Sequence, residues 1–178
     1  MAKFMPIRGR FTAQTDEPFV VFMAGVRINR FWAFRKWIPA VMAIIPMMRT
    51  LYKHRALGYL GGQPFIYWPG IGAIQYWKSF EDLEHFARSK EDPHLEAWRR
   101  FNKSVGTDGS VGIWHETYLI HPRDYEVIYN NMPIFGLATA TTTTRYVKHV
   151  PAIGRQETAR RRLGEENEPA VPSPANPT

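Results

Sequence analysis

Alternation of hydrophobic and polar residues predicts four strands in the central part of the chain. From Phe19 to Asn29 the side chains alternate between an apolar face and a face that becomes polar at its end. Three further strands are predicted at residues 65–68, 72–78 and 111–120. Because Pro69-Gly70 separates the first two of these, they are expected to form a hairpin.

Helical periodicity predicts helices in the segments between these strands. One helix is predicted from about Trp37 to His54, with Pro46 bending or breaking it. Ser79 is the expected N-cap of a second helix, and a further helical stretch is predicted over residues 94–103. The resulting order, β-α-β-β-α-β, predicts an α+β protomer of the ferredoxin-like type with an antiparallel sheet. Both helices then lie on one face, so the other face needs a partner or a ligand.

The 178 residues, 44% of them hydrophobic, are enough for one domain with a core. We expect a flexible N-terminal arm over residues 1–16 and a ferredoxin-like domain over residues 17–154, with a C-terminal extension from about residue 122. Residues 155–178 contain charge blocks, four prolines and almost no large apolar side chains. This last segment is expected to be a disordered tail.

Composition and motif content exclude several chemistries. With no cysteine, the chain has no disulfide framework, no thiolate metal site, no cysteine nucleophile and no cysteine-ligated haem or iron–sulfur cluster. The glycine-rich motifs of dinucleotide-binding and P-loop proteins are also absent, so neither flavin nor nicotinamide binding by a Rossmann unit is supported. The histidines lack the i, i+4 spacing of a helical metal pair, and we predict no metal site.

The net charge of +7 is concentrated in residues 1–56, which hold ten basic and two acidic side chains. Such a region can attract nucleic acid, anionic lipid or an acidic substrate, but it carries no nucleic-acid-binding motif, and we interpret it as solvated surface. The most apolar stretch, Ile38 to Met48, has 11 residues, whereas a membrane span needs roughly 20. We therefore expect neither nucleic acid nor a membrane as a partner. Because the N-terminus shows no secretory signal, we expect a cytoplasmic location.

Several segments together resemble a known group of proteins. The run YWKSFEDLEHFARSK, followed by HLEAWRRFN, resembles the strand–helix signature of the antibiotic-biosynthesis-monooxygenase-like proteins. The blocks KWIPAVMAIIPMMRTLY, LGYLGG, GTDGSVGIWHETYLI and YEVIYNNMPIFGLA resemble a narrower monooxygenase-like family of the domain-of-unknown-function type, which has a member in a fungal terpenoid–polyketide pathway. The resemblance covers roughly residues 17–140.

This resemblance implies a dimeric α/β barrel, in which two ferredoxin-like sheets face each other and each protomer has a pocket between sheet and helices. It implies a homodimer that binds a bulky apolar or aromatic small molecule and oxygenates it without flavin or nicotinamide. The wider superfamily also includes haem-degrading monooxygenases and haem-dependent aldoxime dehydratases. The expected cofactor is therefore none or haem, and a non-catalytic ligand-binding dimer is a third interpretation.

His115 is the first candidate for chemistry, because it lies in the middle of the last predicted strand. It would act either as a general base toward the substrate or as a neutral axial ligand to haem iron. The alternative is a buried histidine that is hydrogen-bonded between two elements and serves only the fold.

Arg27 and Asn29 are the other catalytic candidates, since they lie at the polar end of the first predicted strand. They would pair with Glu116 or orient a carbonyl or a dioxygen-derived oxyanion, and a structural salt bridge across the dimer is the alternative. The substrate-binding candidates are mostly aromatic: Trp77, Trp114, Tyr76, Tyr118, Glu116 and Phe86. Strand alternation places Glu116 and Tyr118 on the face opposite to His115. The aromatic residues would otherwise form only a dimer core.

Overall fold

The structure, a computed structural model, describes residues 5–53, 57–88, 102, 105–140 and 145–148. The described helices are α1 (Phe34–Lys53), α2 (Phe80–Arg88) and α3 (Leu137–Ala140). The described strands are β1 (Arg10–Gln14), β2 (Phe19–Ile28), β3 (Tyr59–Tyr67), β4 (Gly70–Trp77), β5 (Val111–Ile120), β6 (Tyr129–Asn130) and β7 (Arg145–Lys148). No helix among these residues is both long enough and apolar enough to span a bilayer.

The main sheet has the strand order β3-β4-β2-β5, and all its neighbouring strands are antiparallel. Helix α1 connects β2 to β3, and α2 lies between β4 and β5 in the chain. This is the βαββαβ order predicted from the hydrophobic pattern, so the α+β, ferredoxin-like class is confirmed.

Alternation along β2 decides which side chains face the helices. Val20 lies opposite Trp77 of β4 and Leu119 of β5, and Val26 lies opposite Ile71 and Ile113. The even-numbered residues of β2 therefore share the helix-facing side of the sheet. Buried side chains from this side pack with buried side chains of α1 and α2, and the main core includes Val20, Val26, Ala73, Trp77, Ala40, Ile44, Met48, Leu51, Leu83 and Phe86.

The two main helices lie close to where the sequence places them. Helix α1 begins at Phe34 and continues through Pro46, so the predicted bend does not end it. The backbone N–H of Asp82 donates to Ser79 Oγ at 3.1 Å, which confirms Ser79 as the N-cap of α2. The helix predicted over residues 94–103 and the tail predicted over residues 155–178 lie outside the described residues, apart from Asn102, which is helical.

A second sheet, with the order β6-β1-β7, includes residues 10–14 and corrects, for these residues, the prediction of a flexible arm over residues 1–16. Phe11 and Ala13 of β1 are buried, and the Phe11 ring stacks on Tyr129 of β6 with centroids 5.1 Å apart. Strand β1 is five residues long, and its partners come from near the other end of the chain. So short a segment carries little alternation of its own, and pairing with distant strands stabilises it.

Candidate functional site

The described helices α1 and α2 cover only part of their side of the main sheet. Helix α1 packs mainly on β3 and β4, and α2 packs on β4. Toward the β5 edge the same side becomes accessible: Phe22 and Ala24 of β2 are half-buried, and His115 and Thr117 of β5 are exposed. We call these four residues the helix-side strip. The strip is an accessible, partly apolar surface against which a ligand can lie.

His115 lies near the middle of the helix-side strip. It is paired directly with Ala24 of β2, and its ring centroid lies 5.8 Å from that of Phe22. Within the part of the chain that the structure describes, no group hydrogen-bonds to the imidazole. The interpretation of His115 as a buried, hydrogen-bonded structural histidine is therefore wrong. Both ring nitrogens are available to a ligand, and the small side chain of Ala24 leaves room beside them.

Gln75 is a polar side chain of this side of the sheet that the sequence analysis did not single out. It lies opposite Phe22, is 4% exposed, and accepts a hydrogen bond from Trp77 Nε1 at 3.1 Å. The signal for it was present in the sequence, because Gln75 occupies a helix-facing position in an otherwise apolar strand. The same parity argument, applied across strands, would also have selected Phe22, Ala24 and Thr117.

Two of the predicted substrate-binding residues lie inside the core. Trp77 is 0% exposed, and its ring packs against Tyr59 at 5.3 Å and Phe86 at 5.2 Å. Phe86 is buried as well. Both side chains are on the helix side, as His115 is, but they support the sheet from within the packed core and do not line the strip.

Tyr76 lies on the other side of the sheet. Its ring contacts Phe19 at 6.4 Å within a cluster that includes Leu137 and Ala140 of α3. Burial, together with the nearby Tyr129 hydroxyl, raises the pKa of Tyr76 to about 12. The segment around α3 thus covers one end of the sheet face that the helices α1 and α2 leave open.

Trp114, Glu116 and Tyr118 also lie on the side opposite to His115, as alternation along β5 predicts. The hydroxyl of Tyr118 donates to Glu116 Oε2, and this hydrogen bond raises the pKa of Tyr118. Trp114 Nε1 donates to the hydroxyl of Tyr67, which donates to the carbonyl of Val26 at 2.9 Å. These residues form two local networks on the second face, separated from the imidazole by the sheet itself.

Within one protomer, Arg27 and Asn29 do not pair with Glu116. Arg27 lies opposite Gly112, whereas Glu116 lies opposite Met23, four positions along β2 and therefore about 13 Å away. Asn29 Nδ2 instead donates to the carbonyl of Gly109 at 3.1 Å. Asn29 thereby fixes the loop that leads into β5, and Arg27 is an exposed cation. Catalytic roles for these two residues stay predictions.

Within the described ranges, no group of three or more histidine, aspartate or glutamate side chains is arranged to hold a metal ion. A shallow depression on α2 is lined by Glu81, Glu84, His85 and Arg88, but Arg88 Nη2 is already paired with Glu84 Oε1 at 2.7 Å. The helix-side strip is therefore the arrangement among the described residues that best suits chemistry on a small molecule.

Comparison with known proteins assigns the chain to a family. A family model described as monooxygenase af470-like matches residues 19–137, the segment from the start of β2 to the start of α3. No curated protein matches the chain.

Solved structures show the likeness at the level of the fold. The crystal structure of aldoxime dehydratase superposes with a TM-score of 0.60 at 16% identity, over 80% of this chain and 46% of that chain. The chain thus spans about half the length of that neighbour. A conserved protein of unknown function from Bacteroides thetaiotaomicron, described as a possible oxidoreductase, gives a TM-score of 0.40 at 12% identity over 60% of this chain and 100% of that one.

Proposed function

Because the chain belongs to the monooxygenase af470-like family, we propose that it is an enzyme that oxygenates a bulky apolar or aromatic small molecule. The substrate binds at the helix-side strip and reacts without flavin or nicotinamide. The observation that carries this proposal is the exposed imidazole of His115, which has no hydrogen-bond partner among the described residues and lies beside Phe22 and Ala24. A side chain that can accept a proton and lies on an accessible, partly apolar surface can act as a base toward a ligand bound to that surface.

The strip has separate parts for binding and for chemistry. The Phe22 ring provides an aromatic surface, and Ala24 provides the space in which a flat substrate can approach the imidazole. Thr117 follows two residues after His115 on the same side and brings a hydroxyl that can donate to a substrate oxygen. A substrate held in this way presents its reacting carbon to His115 while its apolar body contacts Phe22.

The reaction begins with proton transfer to His115 from an acidic C–H or O–H group of the substrate. The resulting anion is electron-rich and reduces dioxygen, which is the co-reactant. For a methylene group flanked by activating groups, CH2 and O2 give C=O and H2O. One oxygen atom enters the new carbonyl and the other leaves as water with the two hydrogens. The protein's part is to hold the substrate and to accept the proton.

Oxygen uptake with a panel of phenolic and terpenoid substrates tests this proposal. For an accepted substrate, His115→Ala is expected to lower kcat by a factor of about 100 or more, which is typical for loss of a general base. His121→Ala is the matched control, since it removes an exposed imidazole just beyond β5. Equal turnover by the native chain and His115→Ala would rule out the base. Binding without any oxygen uptake would leave the non-catalytic ligand-binding interpretation.

A haem enzyme is the second candidate, and the same imidazole favours it. An axial ligand needs a ring nitrogen that is not engaged elsewhere, and His115 offers one. The fold likeness to aldoxime dehydratase is consistent with this candidate. The residues fit a porphyrin in one respect: Phe22 and Ala24 would contact its face while His115 holds the iron. The bound haem would supply the redox-active metal for activating oxygen or substrate.

An absorption spectrum of the purified protein, with and without added haemin, separates the two candidates. A Soret band that is lost in His115→Ala would support the haem enzyme and identify its ligand. A band of equal intensity in His115→Ala would place haem elsewhere and reject this residue as the ligand. Protein without a band in either condition, but active in oxygen uptake, would support the cofactor-free reaction.

We propose further that the chain acts as a homodimer that pairs through the sheet face opposite to α1 and α2. This face carries the half-buried Trp114 and the exposed Glu116–Tyr118 pair. Burial of an accessible aromatic sheet face is a common reason for association. The molar mass in solution should be twice that of the 20.6 kDa chain, and Tyr118→Arg should lower it toward the monomer. A native chain that is monomeric at all concentrations would refute the dimer.

A further inference from the structure

Exposed aromatic side chains from two loops converge at one end of the main sheet. The backbone N–H of Ile28, the last residue of β2, donates to the carbonyl of Pro69 in the turn between β3 and β4 at 2.8 Å. This contact brings the loop after β2 against that turn, and the Phe31 ring stacks on Trp68 with centroids 5.3 Å apart. Trp32 is 77% exposed, Trp68 85% and Ile66 86%. We call Phe31, Trp32, Ile66 and Trp68 the aromatic tip.

The exposed apolar surface continues from the aromatic tip along α1. Phe34, Ile38 and Met42 are exposed, and their i, i+4, i+8 spacing places them in one stripe about 12 Å long. Trp37 Nε1 donates to the carbonyl of Phe31 at 2.9 Å, which ties the tip to the first turn of the helix. Scattered exposed hydrophobic residues need no explanation, but a contiguous surface of this kind marks an interaction site.

The surroundings of this surface are positively charged. Arg27, Arg30 and Arg35 are exposed, and none of them is ion-paired with another described residue. In residues 27–42, 66–72 and 105–113, which are the described residues at this end of the main sheet, the one acidic residue is Asp108. It is already neutralised, because Lys36 Nζ lies 2.8 Å from Asp108 Oδ2. Three guanidinium groups therefore flank the aromatic tip without a compensating carboxylate among these residues.

We infer that the aromatic tip and the α1 stripe dock onto the surface of an anionic lipid bilayer. Tryptophan and phenylalanine suit the boundary between headgroups and acyl chains, and basic residues at the headgroup level add attraction to anionic lipids. A second copy of the chain fits this surface less well. A two-fold interface would bring the same three arginines of both copies close together, at an electrostatic cost.

This inference departs from the expectation that no membrane is a partner. That expectation rested on the length of the apolar stretch from Ile38 to Met48, which is too short to span a bilayer. Peripheral docking needs no span, because an amphipathic helix lies in the plane of the interface. It needs exposed apolar side chains next to cations, and their exposure depends on packing that the sequence pattern does not reveal.

Flotation with lipid vesicles tests the inference on the full-length protein. The chain should float with vesicles that contain about one third phosphatidylserine and should bind phosphatidylcholine vesicles at least about tenfold more weakly. The double variant Trp32→Ser/Trp68→Ser and the double variant Arg30→Glu/Arg35→Glu should each weaken binding to the anionic vesicles about tenfold or more. Leu119→Ser and Arg8→Glu are the matched controls, since they change an exposed apolar residue and an exposed cation outside the tip and stripe.

A measurement on the unaltered chain keeps the test independent of how the variants fold. Lipids brominated near the top of the acyl chain should quench tryptophan fluorescence when the vesicles are anionic, because Trp32 and Trp68 would enter the interface. Absence of quenching together with absence of flotation would overturn the inference. So would an equal loss of binding in the control variants. A tip variant that changes the molar mass in solution, in a chain that binds no vesicle, would assign the surface to a protein partner instead.

Discussion

The indole ring of Trp114 lies directly over Gly25, its partner on the neighbouring strand. A Cβ atom at Gly25 would lie 2.9 Å from Trp114 Nε1 and 2.9 Å from the carbonyl oxygen of Ile71. Glycine repeats along this face, because Gly72 lies beneath the Phe65 ring and Gly70 beneath the Tyr67 ring. The missing side chains let three aromatic rings pack close to the sheet backbone. The glycines therefore stabilise this face through the packing of their neighbours.

Gly25→Ala should destabilise the fold by about 1–3 kcal/mol, since the added methyl group has no room between a backbone carbonyl and the indole. Gly112→Ala is the matched control on the same face, because its Cβ would meet no atom closer than 3.4 Å. It should change the free energy of unfolding by less than about 0.5 kcal/mol. Urea denaturation of both variants checks the prediction, and equal effects would show that the indole does not constrain Gly25.

The ion pair between Lys36 and Asp108 should make stability depend on acid pH. Hydrogen bonds from Lys36 and Ser110 hold the pKa of Asp108 well below its usual range. A carboxyl group with a lowered pKa in the folded state contributes stability above its unfolded pKa of about 4 and loses it as the pH falls. Asp108→Asn should therefore have a lower Tm than the native chain at pH 7. The difference should shrink progressively below about pH 4.

Asp124→Asn is the control for this experiment, because it removes an exposed carboxylate that forms no ion pair within the described residues. Its Tm should follow that of the native chain across the same pH range. A deficit of Asp108→Asn that persists unchanged down to pH 2 would mean that the carboxylate charge is not the cause.

Burial of Tyr76 should produce the opposite dependence at alkaline pH. Its pKa is raised to about 12 in the folded protein, whereas an unfolded tyrosine ionises near 10. The unfolded state therefore loses this proton first, and stability falls as the pH rises from about 10 to 12. A shift of two units corresponds to about 2–3 kcal/mol at the upper limit.

Tyr76→Phe removes the ionisable group and should lose correspondingly less stability over that interval. Urea denaturation of both proteins between pH 8 and pH 11.5 measures the difference. The two stability curves should run parallel below about pH 9, where neither state ionises this hydroxyl. Curves that stay parallel up to pH 11.5 would contradict the assignment.

Local patterns predict the four strands of the main sheet in the right order, because adjacent elements are separated by clear turns. Strand β3 is longer than predicted, since it begins at Tyr59 and not at Phe65. Strand β5 is predicted with its observed bounds, from Val111 to Ile120. Strand β1 escaped prediction because RFTAQ is short and pairs with segments more than a hundred residues away. Local alternation shows which side chains of a strand share a face, whereas a strand of this kind is stabilised by partners that are distant in the sequence.

The site was predicted less completely, for the same physical reason. Parity along β5 correctly separates His115 from Glu116, but parity alone does not measure distance along a strand. Arg27 therefore shares a face with Glu116 without reaching it. Burial is also decided by packing between layers: Trp77 is enclosed by side chains of β3 and α2, whereas His115 is not covered by the described helices and is exposed.

The space beside the imidazole gives a prediction that separates binding from chemistry. Ala24 is half-buried and paired with His115, so a leucine side chain there would extend into the space where the substrate is proposed to lie. Ala24→Leu should raise KM about tenfold or more with little change in kcat, because it removes binding that ground state and transition state share. His115→Gln should do the reverse, lowering kcat with KM nearly unchanged.

Ala87→Leu, on the exposed surface of α2, is the control for added bulk, and both kinetic constants should stay at the native values. Thermal denaturation verifies that each variant is folded. If Ala24→Leu instead binds substrate as tightly as the native chain, the substrate does not occupy the helix-side strip. The base would then have to be sought on the opposite face, where Glu116 and Tyr118 share a hydrogen bond.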